Sequence, residues 1–95
     1  MKRGYRLRDG RQVPTRPATI HEVMSQPRFA LGVADARIGR PVHRDYDVWH
    51  VNGQWAYERG RMWAVLTPRH VPLKRNRRIN PDAMAWFLRH GNDII

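Results

Sequence analysis

Ala56-Tyr57-Glu58-Arg59-Gly60-Arg61-Met62-Trp63-Ala64 sets three small residues at i, i+4 and i+8, on one face of any helix that contains them. An earlier segment, Gly32-Val33-Ala34-Asp35-Ala36, repeats the device with Gly32 and Ala36 four apart. Each helix then offers a strip almost without side chains. Two such strips bring helix axes closer than the usual ~8–10 Å. Glycine inside a helix costs about 1 kcal/mol relative to alanine, so Gly60 is expected to offset that cost by close packing. The expected fold is all-α, a small three-helix domain whose first two helices pack closely.

Outward from this pair, Ser25 reads as the N-cap of the first long helix, with Pro27 tolerated in its first turn. The helix runs through Phe29, Leu31, Val33, Ala36 and Ile38 to an αL stop at Gly39, with Pro41 beyond. Thr19-Ile20-His21-Glu22 is a capping box that opens a short helix over about residues 20–26. The second long helix opens at Asn52, covers about residues 53–66 and ends at Thr67-Pro68. Its apolar belt is Trp55, Tyr57, Met62, Trp63, Val65 and Leu66. The linker between the two holds Tyr46, Val48 and Trp49, which are too apolar to be left in water. Asn80-Pro81-Asp82 opens the third helix with an N-cap, a proline at N1 and an acid in the first turn. That helix carries Met84, Trp86, Phe87 and Leu88 and is expected to stop at Gly91. No strand pattern is sustained. Residues 18–95 therefore read as one helical domain, with a core helix pair over 26–66, a basic strip over 69–78 and a C-terminal helix over 81–90. Residues 1–17 read as a basic flexible arm, since their composition cannot offset its own ordering entropy.

The chain carries 18 Lys and Arg against 8 Asp and Glu, a net charge of +10. The excess is segregated. Residues 1–17 hold Lys2, Arg3, Arg6, Arg8, Arg11 and Arg16 against Asp9, and residues 69–78 hold Arg69, Lys74, Arg75, Arg77 and Arg78 with no acid. Elsewhere Arg28, Arg37, Arg40, Arg44, Arg59, Arg61 and Arg89 balance Glu22, Asp35, Asp45, Asp47, Glu58, Asp82 and Asp93. A neutral body with two cationic appendages points to a polyanion gripped from outside the fold. Sixteen of the cations are arginine, whose planar fork grips phosphate bidentately and stacks on bases.

The candidate nucleic-acid-binding residues are Lys2, Arg3, Tyr5, Arg6, Arg8 and Arg11 in the arm and Arg69, Lys74, Arg75, Arg77 and Arg78 in the strip. Arg37, Arg40 and Arg44 flank the end of the first long helix, and Arg59 and Arg61 lie beside Tyr57 and Trp63. A cationic track beside stacking faces suits single-stranded or loop RNA. Tyr5 is the preferred stacking residue, whereas Trp55, Trp63, Trp86 and Phe87 are expected to pack in the core. Loose binding of DNA through the appendages is a further expectation. A helix-turn-helix is not, because the gap from Gly39 to Asn52 far exceeds its three- to four-residue turn.

The chain has no cysteine, which removes disulfides and thiolate metal sites. No run approaches the ~20 apolar residues of a membrane span. The charged start lacks an apolar h-region, so a cytoplasmic protein without a secretory signal is expected. His43, Asp45, Asp47 and His50 crowd one linker with Glu58 nearby, but their spacing matches no ligand motif, and a turn cap or a pair with Arg44 accounts for the acids. There is no Gly-x-Ser-x-Gly turn and no Gly-rich phosphate loop. No enzyme activity, catalytic residue, metal or cofactor is expected.

Gly32-Val33-Ala34-Asp35-Ala36-Arg37-Ile38-Gly39-Arg40, a linker with Pro41 and Tyr46, and Trp55 leading into a glycine-containing helix together resemble bacterial ribosome modulation factor and its relatives. The resemblance covers Phe29 to Leu66. It implies a small protein that docks on ribosomal RNA and silences translation under stress. The family's Cys-Pro-Tyr is missing from the linker, and its Gly-Gly-Trp appears here as Tyr-Glu-Arg-Gly-Arg-Met-Trp over residues 57–63. The strip and the third helix lie outside it. The rival expectation is a protein–protein module, a small inhibitor or adaptor of phage or plasmid type, that docks an acidic partner or a transcription complex through one or two exposed tryptophans. A domain this small also gains from a second copy, so a homodimer is compatible with either reading.

Overall fold

The computed structural model describes residues 19–94 and, within the N-terminal stretch, Tyr5–Arg6 and Gln12–Val13. The body is mostly helical. In chain order the elements are β1 (Tyr5–Arg6), β2 (Gln12–Val13), α1 (Ile20–Met24), α2 (Pro27–Arg37), a 3-10 turn (Tyr46–Val48), α3 (Val51–Leu66), β3 (Lys74–Arg75), β4 (Arg78–Ile79), α4 (Pro81–Arg89) and α5 (Gly91–Ile94).

The α2–α3 pair is the centre of the molecule, and its two glycines decide how close the helices come. A methyl group at Gly60 would overlap the Phe29 carbonyl oxygen and lie 2.9 Å from the carbonyl carbon. A methyl group at Gly32 would overlap the Tyr57 carbonyl oxygen and lie 3.0 Å from the Arg61 nitrogen. Each glycine therefore faces the other helix's backbone directly, the setting in which Cα–H···O=C contacts form. Ala56 and Ala64 are buried along the same strip.

Beside this seam lies the apolar core. Phe29 meets Trp63 and Phe87 with ring centroids 6.3 and 6.2 Å apart. Val23 and Met24 of α1, Val71 and Leu73 of the strip, Ala83 of α4 and Ile94 of α5 close around them. The Trp63 indole N–H donates to the Ala83 carbonyl at 3.1 Å, which satisfies a buried donor and ties α3 to α4.

On the other side of the pair sits a polar node. Asp35 is only 2% exposed, and the Tyr57 hydroxyl donates to its carboxylate at 2.7 Å. The same hydroxyl accepts from the His43 backbone N–H at 3.0 Å and from Arg61 at 3.3 Å. Arg40 lies 3.9 Å from Asp35, so it is Arg40 that pairs with this acid, while Arg37 turns to the Pro68 carbonyl. The linker's aromatic residues cover the node: Trp49 stands edge-on to Tyr57 at 5.2 Å, with His43 and Tyr46 against it. Burial first, and then the bond to Asp35, raise the Tyr57 phenol above its ordinary range.

Several local expectations need correction. Ser25 ends α1 instead of capping α2, whose N-cap is Gln26 without a side-chain bond and with Pro27 in its first turn. Thr19 does cap α1, its hydroxyl accepting from the Glu22 N–H at 3.1 Å. Asn52 is inside α3; the cap is His50, whose Nδ1 accepts from the Asn52 N–H. Gly39 adopts φ 74°, as its reading as a helix stop requires. Gly91 does not end the chain's helical run but opens α5. Trp55 is 40% exposed, and Met62 and Val65 are also exposed, so the belt on α3 is only half used by the core; Leu88 of α4 is exposed too.

Two places read as strand-free contain paired strands. In the stretch read as an arm, Tyr5 pairs with Val13 and Arg6 with Gln12, antiparallel. In the basic strip, Lys74 pairs with Ile79 and Arg75 with Arg78. The second hairpin escaped the sequence reading because its strands have two residues each and almost no apolar alternation.

Candidate nucleic-acid interface

The strip is built from buried anchors outward. Val71 and Leu73 enter the core and fix its start, and Asn80 fixes its end. Asn80 is fully buried. Its backbone N–H donates to the Leu73 carbonyl at 3.0 Å, its side-chain amide donates to the Pro72 carbonyl at 2.9 Å, and its side-chain oxygen caps α4 by accepting from the Asp82 N–H. One side chain thus closes the base of the hairpin and starts the next helix. Lys74, Arg75, Arg77 and Arg78 project from this base and are all exposed.

At the tip, Asn76 and Arg77 have φ of 55° and 66°, the double left-handed geometry of a type I′ turn. Asparagine suits the first of these positions. The second is glycine's in most such turns, and a bulky side chain there stores roughly 1–3 kcal/mol of backbone strain.

Lys74, Arg77, Arg78 and Ile79 form one wall of a cleft of about 550 Å³, and His21 and Ser25 of α1 form the other. Among the described residues no carboxylate lines it. His21 and Ser25 lie one helical turn apart with Nδ1 and Oγ at 3.5 Å. Arg75 lines a different hollow, with His70, Trp86 and Asp82, and pairs with Asp82 at 3.6 Å.

The other sequence candidates divide. Arg37 donates to the Pro68 carbonyl, and burial and the neighbouring Arg69 lower its pKa. Arg69 donates to the Arg37 carbonyl at 2.6 Å, closing the C-terminal end of α2. Arg61 reaches the Pro41 carbonyl and the Tyr57 hydroxyl. Arg59 lies over the Trp55 ring. Arg40 and Arg44 are exposed beside Asp35 and Asp45. Lys2, Arg3, Arg8 and Arg11 lie outside the described residues, and of Tyr5 and Arg6 only the strand pairing is described.

The body's arginines have a second use that the charge balance conceals. Arg28 lies 3.9 Å from the Trp49 ring centre, Arg37 5.0 Å from Trp63, Arg59 5.7 Å from Trp55 and Arg89 5.0 Å from Trp86. Each tryptophan carries a guanidinium within cation–π range. Four of the body's arginines thus have an aromatic ring as an intramolecular partner.

From the sequence Ser25 reads only as a helix cap and His21 only as part of a capping box, neither as a site residue. Their i, i+4 spacing places them on one face of α1, but only the tertiary fold brings that face to the hairpin. The linker histidines serve locally: His43 Nδ1 accepts from the Asp45 N–H, and His50 caps α3. Among the described residues no group of His, Asp or Glu is placed to hold a metal ion, and no described helix is long and apolar enough to cross a membrane. Comparison with protein-family models, with curated proteins and with solved structures finds no match for this chain.

Proposed function

We propose that this chain is a small cytoplasmic RNA-binding protein with a regulatory, non-catalytic role, and that structured ribosomal RNA is its target. The observation that carries the reading is the hairpin: four cations on a six-residue segment, anchored at both ends to the core, three of them lining a cleft that no carboxylate of the described residues lines. A cation set fixed by Asn80 and Leu73 loses less entropy on meeting phosphate than the same residues on a loose loop. The ribosomal part of the proposal rests on the resemblance of residues 29–66 to ribosome modulation factor. The seam at Gly32 and Gly60 is in keeping with that family's glycine-spaced helix.

The arm and the hairpin together would neutralise six to eight phosphates, giving log K a slope against log salt of about −4 to −7. Fluorescence anisotropy with a labelled RNA hairpin across a salt series measures it, and a flat response removes the proposal. The absorbance ratio at 260 and 280 nm after low-salt purification, with and without ribonuclease or deoxyribonuclease, separates RNA from DNA. Sedimentation with ribosomes tests the target.

The rival reading, a protein–protein adaptor, is favoured by one observation. Val42, Tyr46, Met62 and Val65 line an apolar groove of about 520 Å³ on the outer face of α3, with Glu58 and Arg61 at its edge. Nucleic-acid-clean protein that captures one stoichiometric partner supports that reading.

A further inference from the structure

Lys74, Arg77 and Arg78 approach one cleft from the hairpin while His21 and Ser25 approach it from α1, and the arrangement has the chemistry of an oxyanion site. We propose that this cleft binds one phosphate group of a nucleic-acid strand, with the three cations holding the oxyanion and the Ser25 hydroxyl and His21 ring closing it from the opposite wall. The proposal deepens the RNA-binding reading and rests on it for the source of the phosphate.

Three observations converge. The cleft has cations on one wall, an imidazole and a hydroxyl on the other and, among the described residues, no carboxylate to repel an entering anion. Its volume of about 550 Å³ falls within the ~300–1,000 Å³ of small-molecule sites. That is room for a nucleotide, with Ile79 as an apolar rest for the sugar. The third observation is the tip. Arg77 occupies φ 66° where glycine is the low-strain residue, and its side chain lines the cleft. Strain at a position whose side chain meets a candidate ligand is the pattern of a functional site. Both walls are anchored: Val23 and Met24 bury α1 in the core, and Asn80 and Leu73 hold the hairpin.

Arg75 supplies an internal control. It sits on the same hairpin with the same charge but lines the other hollow against Asp82. Arg77→Gly and Arg75→Ala therefore remove equal charge from neighbouring positions and differ in whether they touch the cleft.

The test uses the full chain and a 12-nucleotide RNA bearing either a 5′-phosphate or a 5′-hydroxyl, with inorganic phosphate followed separately by amide and arginine NMR shifts. Arg77→Gly is expected to weaken RNA binding about tenfold, the effect of one charge-assisted hydrogen bond, while raising the melting temperature. Arg75→Ala is expected to weaken it about threefold or less, as a screened surface charge does. His21→Ala, an exposed substitution on the other element, should also weaken binding. Preference for the 5′-phosphate identifies a terminal monoester, and equal affinity identifies an internal diester. Equal losses for Arg77→Gly and Arg75→Ala, with His21→Ala silent, overturn the cleft while leaving RNA binding intact. Phosphate shifts confined to the cleft in a protein that binds no RNA leave the site standing and overturn its source. Competition by a glutamate peptide of equal charge as strongly as by RNA overturns phosphate recognition.

Discussion

Replacing Gly60 by alanine tests the central contact of the fold, because two opposing effects of known size meet at one atom. In a solvent-facing helix the change would stabilise by about 1 kcal/mol through backbone entropy. Here the new methyl would overlap the Phe29 carbonyl oxygen and sit 2.9 Å and 3.1 Å from the Phe29 carbonyl carbon and Cα. Those are backbone atoms in the first turn of α2 and cannot rotate aside as a side chain can, so the helices must part. A radial gap of 0.5–1 Å forfeits about a quarter to a half of each dispersion contact along the seam. Overpacking costs about 1–3 kcal/mol at sites where side chains can yield, and more is expected against backbone. The net expectation for Gly60→Ala is a loss of about 2–3 kcal/mol, a large share of the ~5–15 kcal/mol of an ordinary domain. In a domain of this size that lowers the melting temperature by roughly 10–20 °C. Gly91→Ala is the control, since a methyl there meets nothing within 4 Å. Thermal unfolding followed by far-ultraviolet circular dichroism reads both variants. A Gly60→Ala protein that melts at or above the parent temperature refutes the close-contact argument.

Other perturbations follow from the same packing. Asn80→Ala removes the α4 cap and leaves the Pro72 carbonyl without its donor, so urea denaturation should report a loss of about 2–4 kcal/mol. Tyr57→Phe takes the close hydroxyl donor from the buried Asp35 carboxylate and leaves the more distant Arg40, an expected loss of about 1–3 kcal/mol by the same assay. In alkali, the Tyr46 phenol is pushed up to about 12, first by its hydrogen bond to Glu58 and then by burial, and Tyr57 is raised as well. The unfolded chain releases these protons near pH 10 while the fold keeps them, so their contribution is complete below about pH 10 and is lost above it, for Tyr46 as pH rises toward 12. Urea midpoints measured across that window should fall less steeply for Tyr46→Phe, and an identical slope contradicts the assignment.

The helix pair was legible because small-residue spacing is a local signal with a single geometric meaning. Gly32, Gly60, Asn80 and Gly39 all act as their positions in the chain suggest. What the sequence concealed was long-range or two-sided. Asp35 reads as a surface acid until the fold sets Tyr57 against it, and Tyr57 reads as a stacking face until the linker covers it. Ser25 and Asn52 are good caps by residue type, but each lost to a neighbour one or two positions away, where helix starts are set by tertiary fit. The hairpin lacked the Asn-Gly pair that usually marks such turns, and its strands are too short to alternate. Among the proposed site residues, Lys74, Arg77 and Arg78 share the cleft, whereas Arg37, Arg61 and Arg69 brace the body. Composition cannot separate a bracing guanidinium from a gripping one, because both are arginine and only the fold decides what each faces.

The residue at the tip of the hairpin also governs how this protein ages. Asparagine side chains deamidate by attack of the following backbone nitrogen on their amide, and the reaction is fastest when glycine follows. With Arg77 in that place, Asn76 is shielded from a change that would set a carboxylate at the summit of a cationic loop. The backbone strain of the turn thus comes with chemical durability: an Asn-Gly tip would fold more easily and, on storage, slowly acquire a carboxylate that the surrounding cations would pair with and partly neutralise.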